Sequence, residues 1–375
     1  MAAALVRVHP GRAIREHVGK AAAPRAEAAQ PRTTAPRPWT FDIVASGDLL
    51  IHEPVYERAL ALGHGRYDFR PMLAAVRPII RGAGLAFCHV ETPMGAGPPS
   101  GYPVFDTPRE LAAAIKWAGW DACDTASNHS VDRGQEGIAA TARALDAAGV
   151  RHTGSFRSPA DARHILMLRV RGIEVAFLAY AYGTNGIPLP HPWSVHLISR
   201  EKIAADARRA RHRGADLVVV NLHWGDEYVH TPSADQRSLA HYLLRRRIVD
   251  LILGQHVHVV QPIRELFGRF VVYGEGNLLS NQTTNCCPLG TQDGLIALIR
   301  VRWVEGEPPQ VIGVDYVPTW VEHPDYVVQP VGYALARGSG GTLAGEYRAS
   351  YWRTVRWAGV ARTIGPLPRP GAFRR

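Results

Sequence analysis

The sequence predicts a layered α/β (α+β) fold: strands and helices alternate from residue 41, and a later run of strands implies a second sheet. Three observations predict it. Short apolar runs have strand length. Amphipathic stretches between them end at glycine or basic residues. Polar residues recur where the apolar runs stop.

Residues 41–46 read as a strand ending at Gly47-Asp48, and 84–88 as a second ending near Glu91. Residues 108–119 read as a helix, because Leu111, Ile115 and Ala118 share one face. A short strand at 121–126 leads to Asn128-His129, and an Ala-rich helix follows over 134–149. Residues 173–180 are a β run, 200–213 a basic helix, and 216–222 a strongly apolar strand ending at His223. A helix over 233–247 precedes a strand at 249–253, which ends at Gly254. Strands at 270–273, 295–303, 311–317 and 326–331 and a last helix over 342–357 complete the reading. The Gly338-Ser339-Gly340-Gly341 run is a linker rather than a phosphate loop, since no lysine follows it.

Composition sets the limits. Of 375 residues, 46% are hydrophobic and 20% charged, which fits a globular chain. No run approaches the ~18–20 apolar residues of a membrane span. The formal charge of +10 invites a nucleic-acid reading. Its distribution argues against one. Residues 1–40 carry +5 and residues 361–375 carry +4, whereas 41–360 hold 32 bases against 31 acids. The predicted organisation is a disordered basic leader over 1–40, one domain over 41–360 and a disordered basic tail over 361–375. The first residues lack an apolar signal core of ~7–15 residues, so the cytoplasm is the default location. Cys88, Cys123, Cys286 and Cys287 form no C-x-x-C pair and are expected as free or buried thiols.

Five apolar strands end in metal-ligand types: Asp48, Glu91, Asn128-His129, His223 and His256-Val257-His258. Each alone has a bland reading, as a turn residue, a helix cap or a satisfied core imidazole. Together they carry more, because ligands collect outside the carboxyl ends of strands in layered α/β folds. Two imidazoles separated by one residue lie on the same side of an extended segment. The mixed N/O set suits two divalent ions such as Mn, Fe or Zn. Trp193, Trp224, Trp303 and Trp320 read as core or pocket wall, with Trp224 set apart because it follows His223.

These residues together resemble the CapA family of capsule and poly-γ-glutamate biosynthesis proteins, within the calcineurin-like metallophosphoesterase superfamily. The resemblance covers roughly residues 41–320. It is carried by Gly47-Asp48, Glu91-Thr92-Pro93, Ser127-Asn128-His129 with Asp132 and Gly134, His223-Trp224-Gly225-Asp226-Glu227-Tyr228 with Pro232 and Gln236, Gly254-Gln255-His256-Val257-His258 with Gln261, and Gly274-Glu275-Gly276-Asn277. It implies a metallophosphatase-like two-sheet sandwich flanked by helices, in four layers. It also implies two divalent metal ions. Asp48 and His258 would serve one ion, Asn128, His223 and His256 the other, with Glu91 at the bridge. His129 would donate a proton to the leaving group. Asp226 and Glu227 are read either as acceptors behind the imidazoles or as loop charges, and Asn277 belongs to the turn expected beside them.

Three departures stand out. Glu91 stands where the superfamily has its bridging aspartate, one methylene longer. The superfamily has a histidine two residues after its first aspartate; here that residue is Leu50, which leaves His52 as the nearest imidazole for that place. Family members often carry asparagine where His89 stands.

The expected function is metal-dependent hydrolysis of a phosphoester or related bond in capsule, poly-γ-glutamate or other envelope-polymer metabolism. The competing expectation is a non-hydrolytic assembly component that binds polymer or partner proteins. Expected partners are an anionic small molecule or polymer and capsule-synthesis proteins, with no nucleic acid and no integral membrane segment. The family role would place the chain at the envelope.

Overall fold

A computed structural model describes residues 38–95 and 97–372. The predicted leader lies outside the described residues, apart from its last three positions.

The first sheet begins with β1 (Trp39–Leu49), β2 (Leu85–Val90), β3 (Ala122–Asp124) and β4 (Arg151–Thr153). The second contains β5 (Leu166–Val170), β6 (Ile173–Ala181), β7 (Leu217–His223), β8 (Leu251–Gln255), β9 (Ile263–Leu266) and β10 (Arg269–Val272). The chain then returns to the first sheet with β11 (Asn277–Leu279), β12 (Asp293–Trp303), β13 (Gln310–Glu322), β14 (Val327–Pro330) and β15 (Ile364–Pro366). The sheet orders are β14-β13-β12-β1-β2-β3-β4, with β11 beside β1 and β15 beside β13, and β5-β6-β7-β8-β10-β9.

The late strands therefore do not build a second sheet, as their run in the sequence predicts. β12 pairs antiparallel along β1 from Trp39↔Trp303 to Ser46↔Ile296 and so extends the first sheet. The middle of the chain supplies the second.

Strand alternation explains the layering. On β1, Ile43 and Ala45 face the other sheet, while Val44 and Leu49 face helices. The inter-sheet layer holds Phe87 stacked on Phe177 at 4.2 Å. Outside the first sheet lie the helices Glu53–Leu62 and Glu110–Ala118, which bury Val55, Ala59, Leu111 and Ile115. Outside the second lie Arg200–His212 and Ala234–Arg245, which bury Ile203, Ala207, Leu239 and Leu243. The result is helix, sheet, sheet, helix. The helix Ala344–Ala358 adds Tyr347, Tyr351 and Val355 to the inter-sheet core.

Two other expectations are corrected. β15 pairs parallel with β13 over Val314↔Ile364 to Tyr316↔Pro366, so the predicted tail is built into the sheet here. Cys88 and Cys123 are not free thiols: they face each other across β2 and β3, with Cα atoms 4.4 Å apart, and are disulfide-bonded. Cys286 and Cys287 are free. No helix among the described residues is long and apolar enough to cross a membrane.

Candidate metal centre

The parallel strands β1, β2, β3, β6, β7 and β8 deliver their carboxyl ends to one edge of the sandwich. Asp48 closes β1 and is fully buried. Its position depends on Gly47, where an added Cβ would lie 1.9 Å from the Gly276 carbonyl oxygen. That close approach lets the Asp48 amide donate to the same carbonyl at 3.0 Å. Glu91 follows β2 and is 1% exposed. Asn128 and His129 follow β3 in a turn held by Ser130, whose hydroxyl donates to the Thr125 carbonyl and accepts from the Ser127 amide. His223 ends β7. His256 and His258 follow β8 with φ of 91° and 56°, a backbone region that costs non-glycine residues energy and clusters at functional sites.

The side chains converge. His258 Nδ1 lies 3.0 Å from Asp48 Oδ2, and its Nε2 lies 3.7 Å from Glu91 Oε1. His223 Nε2 donates to Asn128 Oδ1 at 2.8 Å. The His223 and His256 rings are 4.6 Å apart. Four groups of potential donor atoms each fit within 4.8 Å: Asp48 with His89 and His223; Glu91 with His223 and His256; Glu227 with His256 and His258; and Asp48 with Glu91 and His258.

Burial and charge set the protonation states. Burial raises the Glu91 carboxyl to about 7, opposed by His258 and reinforced by Asp48. Burial pulls His258 down, but Glu91 and Asp48 outweigh it and hold the imidazole at about 9. Burial and His258 lower His256 to about 3. Burial and His256 push His223 well below its ordinary value. A cluster that sets buried carboxylates beside the neutral imidazoles of His223 and His256 is one that a divalent cation matches in donor type.

A direct test of fit is hydrogen bonding. Buried polar atoms are almost always paired. Here both Glu91 oxygens, His223 Nδ1, His256 Nδ1 and His89 Nε2 are buried with no hydrogen-bond partner. These are the atoms that ligation would satisfy, so the residues fit the cation pair that the family resemblance implies.

The remaining expected residues separate clearly. His129 is 6% exposed, and its Nδ1 donates to Asp132 Oδ2 at 2.8 Å. It borders a cleft of about 690 Å³ together with His52, Asn128, Asn185, Glu227 and Tyr228. His52 stays outside the four donor groups; its Nδ1 lies 3.1 Å from the Leu50 carbonyl and 3.3 Å from the Asn281 amide. Asn277 accepts from His258 Nδ1 at 3.1 Å. Glu227 is exposed and joins the His256–His258 group. Asp226 is exposed and borders a different cavity, beside Arg200 and Ser233. Trp224 is core, donating from Nε1 to the Tyr273 carbonyl at 3.0 Å.

Several residues join the site that the sequence reading does not place there. Asn185 accepts from the Asn128 amide at 3.1 Å, and Tyr182 covers His256 at 4.5 Å between rings. Both lie after β6, whose end carries no ligand-type residue, so no signal marked them. Glu275 is fully buried and pushed up to about 8 by burial, which its 2.7 Å hydrogen bond from Gln255 only partly offsets. His89 and Asp124 lie beneath the cluster, linked at 2.9 Å. The alternation along β2 marks His89, because it shares a face with Glu91.

Residues 42–282 match the family described as bacterial capsule synthesis protein PGA_cap. The chain is 32% identical over 178 residues to the capsule biosynthesis protein CapA of Bacillus anthracis, covering 46% of this chain and 43% of that one. It is 28% identical over 188 residues to the PGA biosynthesis protein CapA of Bacillus subtilis, covering 47% of each. The chain thus spans somewhat under half the length of these curated relatives. Among solved structures, it resembles the calcineurin-like phosphoesterase YfkN of Bacillus subtilis with a TM-score of 0.50 and 11% identity, covering 86% of this chain and 99% of that one. It resembles a putative 5'-nucleotidase of Staphylococcus aureus with a TM-score of 0.50 and 14% identity, covering 75% and 54%. These likenesses show a shared metallophosphoesterase fold.

Proposed function

The chain belongs to the bacterial capsule synthesis protein family, and from that premise we propose that it is a metal-dependent hydrolase of a phosphoester or related bond in capsule or poly-γ-glutamate metabolism. The observation that supports this most is the buried convergence of Asp48, Glu91, Asn128, His223, His256 and His258 beside an open cleft.

In this reading those six residues would hold two divalent cations. The cations supply Lewis acidity and a nucleophile at neutral pH. The chain's own residues do the rest. Asn185 fixes the Asn128 amide. The Tyr182 ring shields His256 from water. Asp132 accepts the Nδ1 proton of His129, which leaves Nε2 to protonate a leaving oxygen in the cleft.

The test is turnover of an aryl phosphate mono- and diester panel with Mn²⁺. Wild-type protein is expected to turn over at least one, and a His223→Ala, His256→Ala double variant to fall to background. Full activity in that variant sinks the hydrolase reading. Polymer binding without any turnover by the wild type would favour the assembly role instead.

A further inference from the structure

We infer that His89 supplies the imidazole missing from the first motif, with Nε2 joining Asp48 as a ligand of the same cation. The inference rests on the metal-binding reading above and adds a ligand from a different strand.

Alternation on β2 gives the first argument. Phe87 packs between the sheets, whereas Cys88 and Val90 pack on the helical side. His89 and Glu91 therefore both project toward the side where the cluster lies. The second argument is distance. His89 Nε2 is 3.8 Å from Asp48 Oδ1, and His89, Asp48 and His223 offer donors within 4.8 Å of one another. Ligand bonds of about 2.1 Å to one ion put donors about 3–4 Å apart.

The third argument is the far ring nitrogen. His89 Nδ1 donates to Asp124 Oδ1 at 2.9 Å, and Asp124 Oδ2 accepts from Asn221 Nδ2 at 2.8 Å. A carboxylate behind a histidine fixes the tautomer and ring plane of metal-ligating imidazoles. In the neutral ring this bond keeps the proton on Nδ1 and leaves the lone pair on Nε2. That Nε2 is buried and has no hydrogen-bond partner. His52, the nearer candidate in sequence, lies outside the donor groups.

The competing role is structural, with His89 as a buried cation between Asp48 and Asp124. Mn²⁺ binding, measured by calorimetry and by metal content after dialysis, separates the two. His89→Asn keeps a donor toward Asp124 and removes the Nε2 position. Wild type is expected to bind two Mn²⁺ per chain. His89→Asn is expected to lose one, or to bind it more than about 100-fold more weakly, beyond the effect of losing a supporting hydrogen bond. Asp124→Asn, a positioning variant, is expected to keep both with one weakened roughly 10–100-fold. It decides the matter if His89→Asn does not fold: unchanged Mn²⁺ affinity in Asp124→Asn overturns the inference. Folded His89→Asn with wild-type stoichiometry and affinity overturns it too, and leaves the wider metal reading standing. A wild type that binds no Mn²⁺ overturns both.

Discussion

Glu91 shows what the site asks of a single residue. A carboxyl buried at 1% exposure with neither oxygen hydrogen-bonded is costly unless something charged meets it. In the proposed reading bound cations do so, and binding to the folded state alone stabilises it. Mn²⁺ at about 100 times its Kd is therefore expected to raise folding stability by about 2.7 kcal/mol for each site it fills. Melting curves with Mn²⁺ and with a chelator check this, and coincident curves would count against it. His129 makes a different demand, since it stands at the cleft with Asp132 behind it. His129→Ala is expected to lower kcat by roughly 10²–10⁴-fold while Mn²⁺ content stays constant. Parallel loss of metal would recast His129 as a ligand.

His196 carries the pH dependence that can be isolated from the cluster. It lies between Phe156 and Tyr180, and burial, aided by Lys202, lowers it to about 4. The unfolded chain takes up this proton near 6.5 and the folded chain near 4. The stabilisation is whole above pH 6.5 and is lost as pH falls toward 4, up to about 3 kcal/mol. Urea midpoints of the wild type are expected to fall across that window more steeply than those of His196→Phe. Equal slopes would show that His196 does not contribute.

At the scale of elements, the strand ends matter more than the strands. β1 bulges between Ala45 and Asp48, and Gly47 lets it touch the Gly274–Asn277 turn backbone to backbone. A side chain at Gly47 would meet a carbonyl oxygen, which cannot swing aside. Gly47→Ala is expected to cost about 1–3 kcal/mol, as overpacked sites do. It should also weaken Mn²⁺ binding, because Asp48 moves with the bulge. Urea unfolding and calorimetry test both, and a neutral Gly47→Ala would show that the contact is slack. The sequence exposes this element only in part. Gly47-Asp48 and Gly274-Glu275-Gly276-Asn277 are both visible as turns, but their contact joins segments more than 220 residues apart. The strand pattern at 41–46 likewise stops short of the observed end at Leu49, because the bulge breaks the alternation.

At the scale of the molecule, the chain makes one sheet, makes a second, and returns. The return sets β12 against β1 and β13 against β12, and leaves β15 paired with Val314–Tyr316 of β13. Arg369 reaches Asp315 at 3.0 Å, and the Tyr351 hydroxyl donates to the Pro368 carbonyl at 2.8 Å. Truncation after Val360 is therefore expected to lower the melting temperature and promote aggregation through the bared edge of β13. An unchanged melting temperature would restore the reading of this segment as a dispensable tail. Unbalanced positive charge and abundant proline make it read as unstructured, since a three-residue strand at a sheet edge leaves almost no periodic trace.

The sequence by itself determined the layered α/β class and the order of most elements. It also marked the strand-end residues Asp48, Glu91, Asn128, His223, His256 and His258, because strand periodicity and the placement of polar residues are local properties. Only the tertiary structure decided which sheet each strand joins, that Cys88 faces Cys123 and that His52 stays out of the cluster. Those outcomes depend on register and on distances between segments far apart in the chain, and no local pattern encodes them.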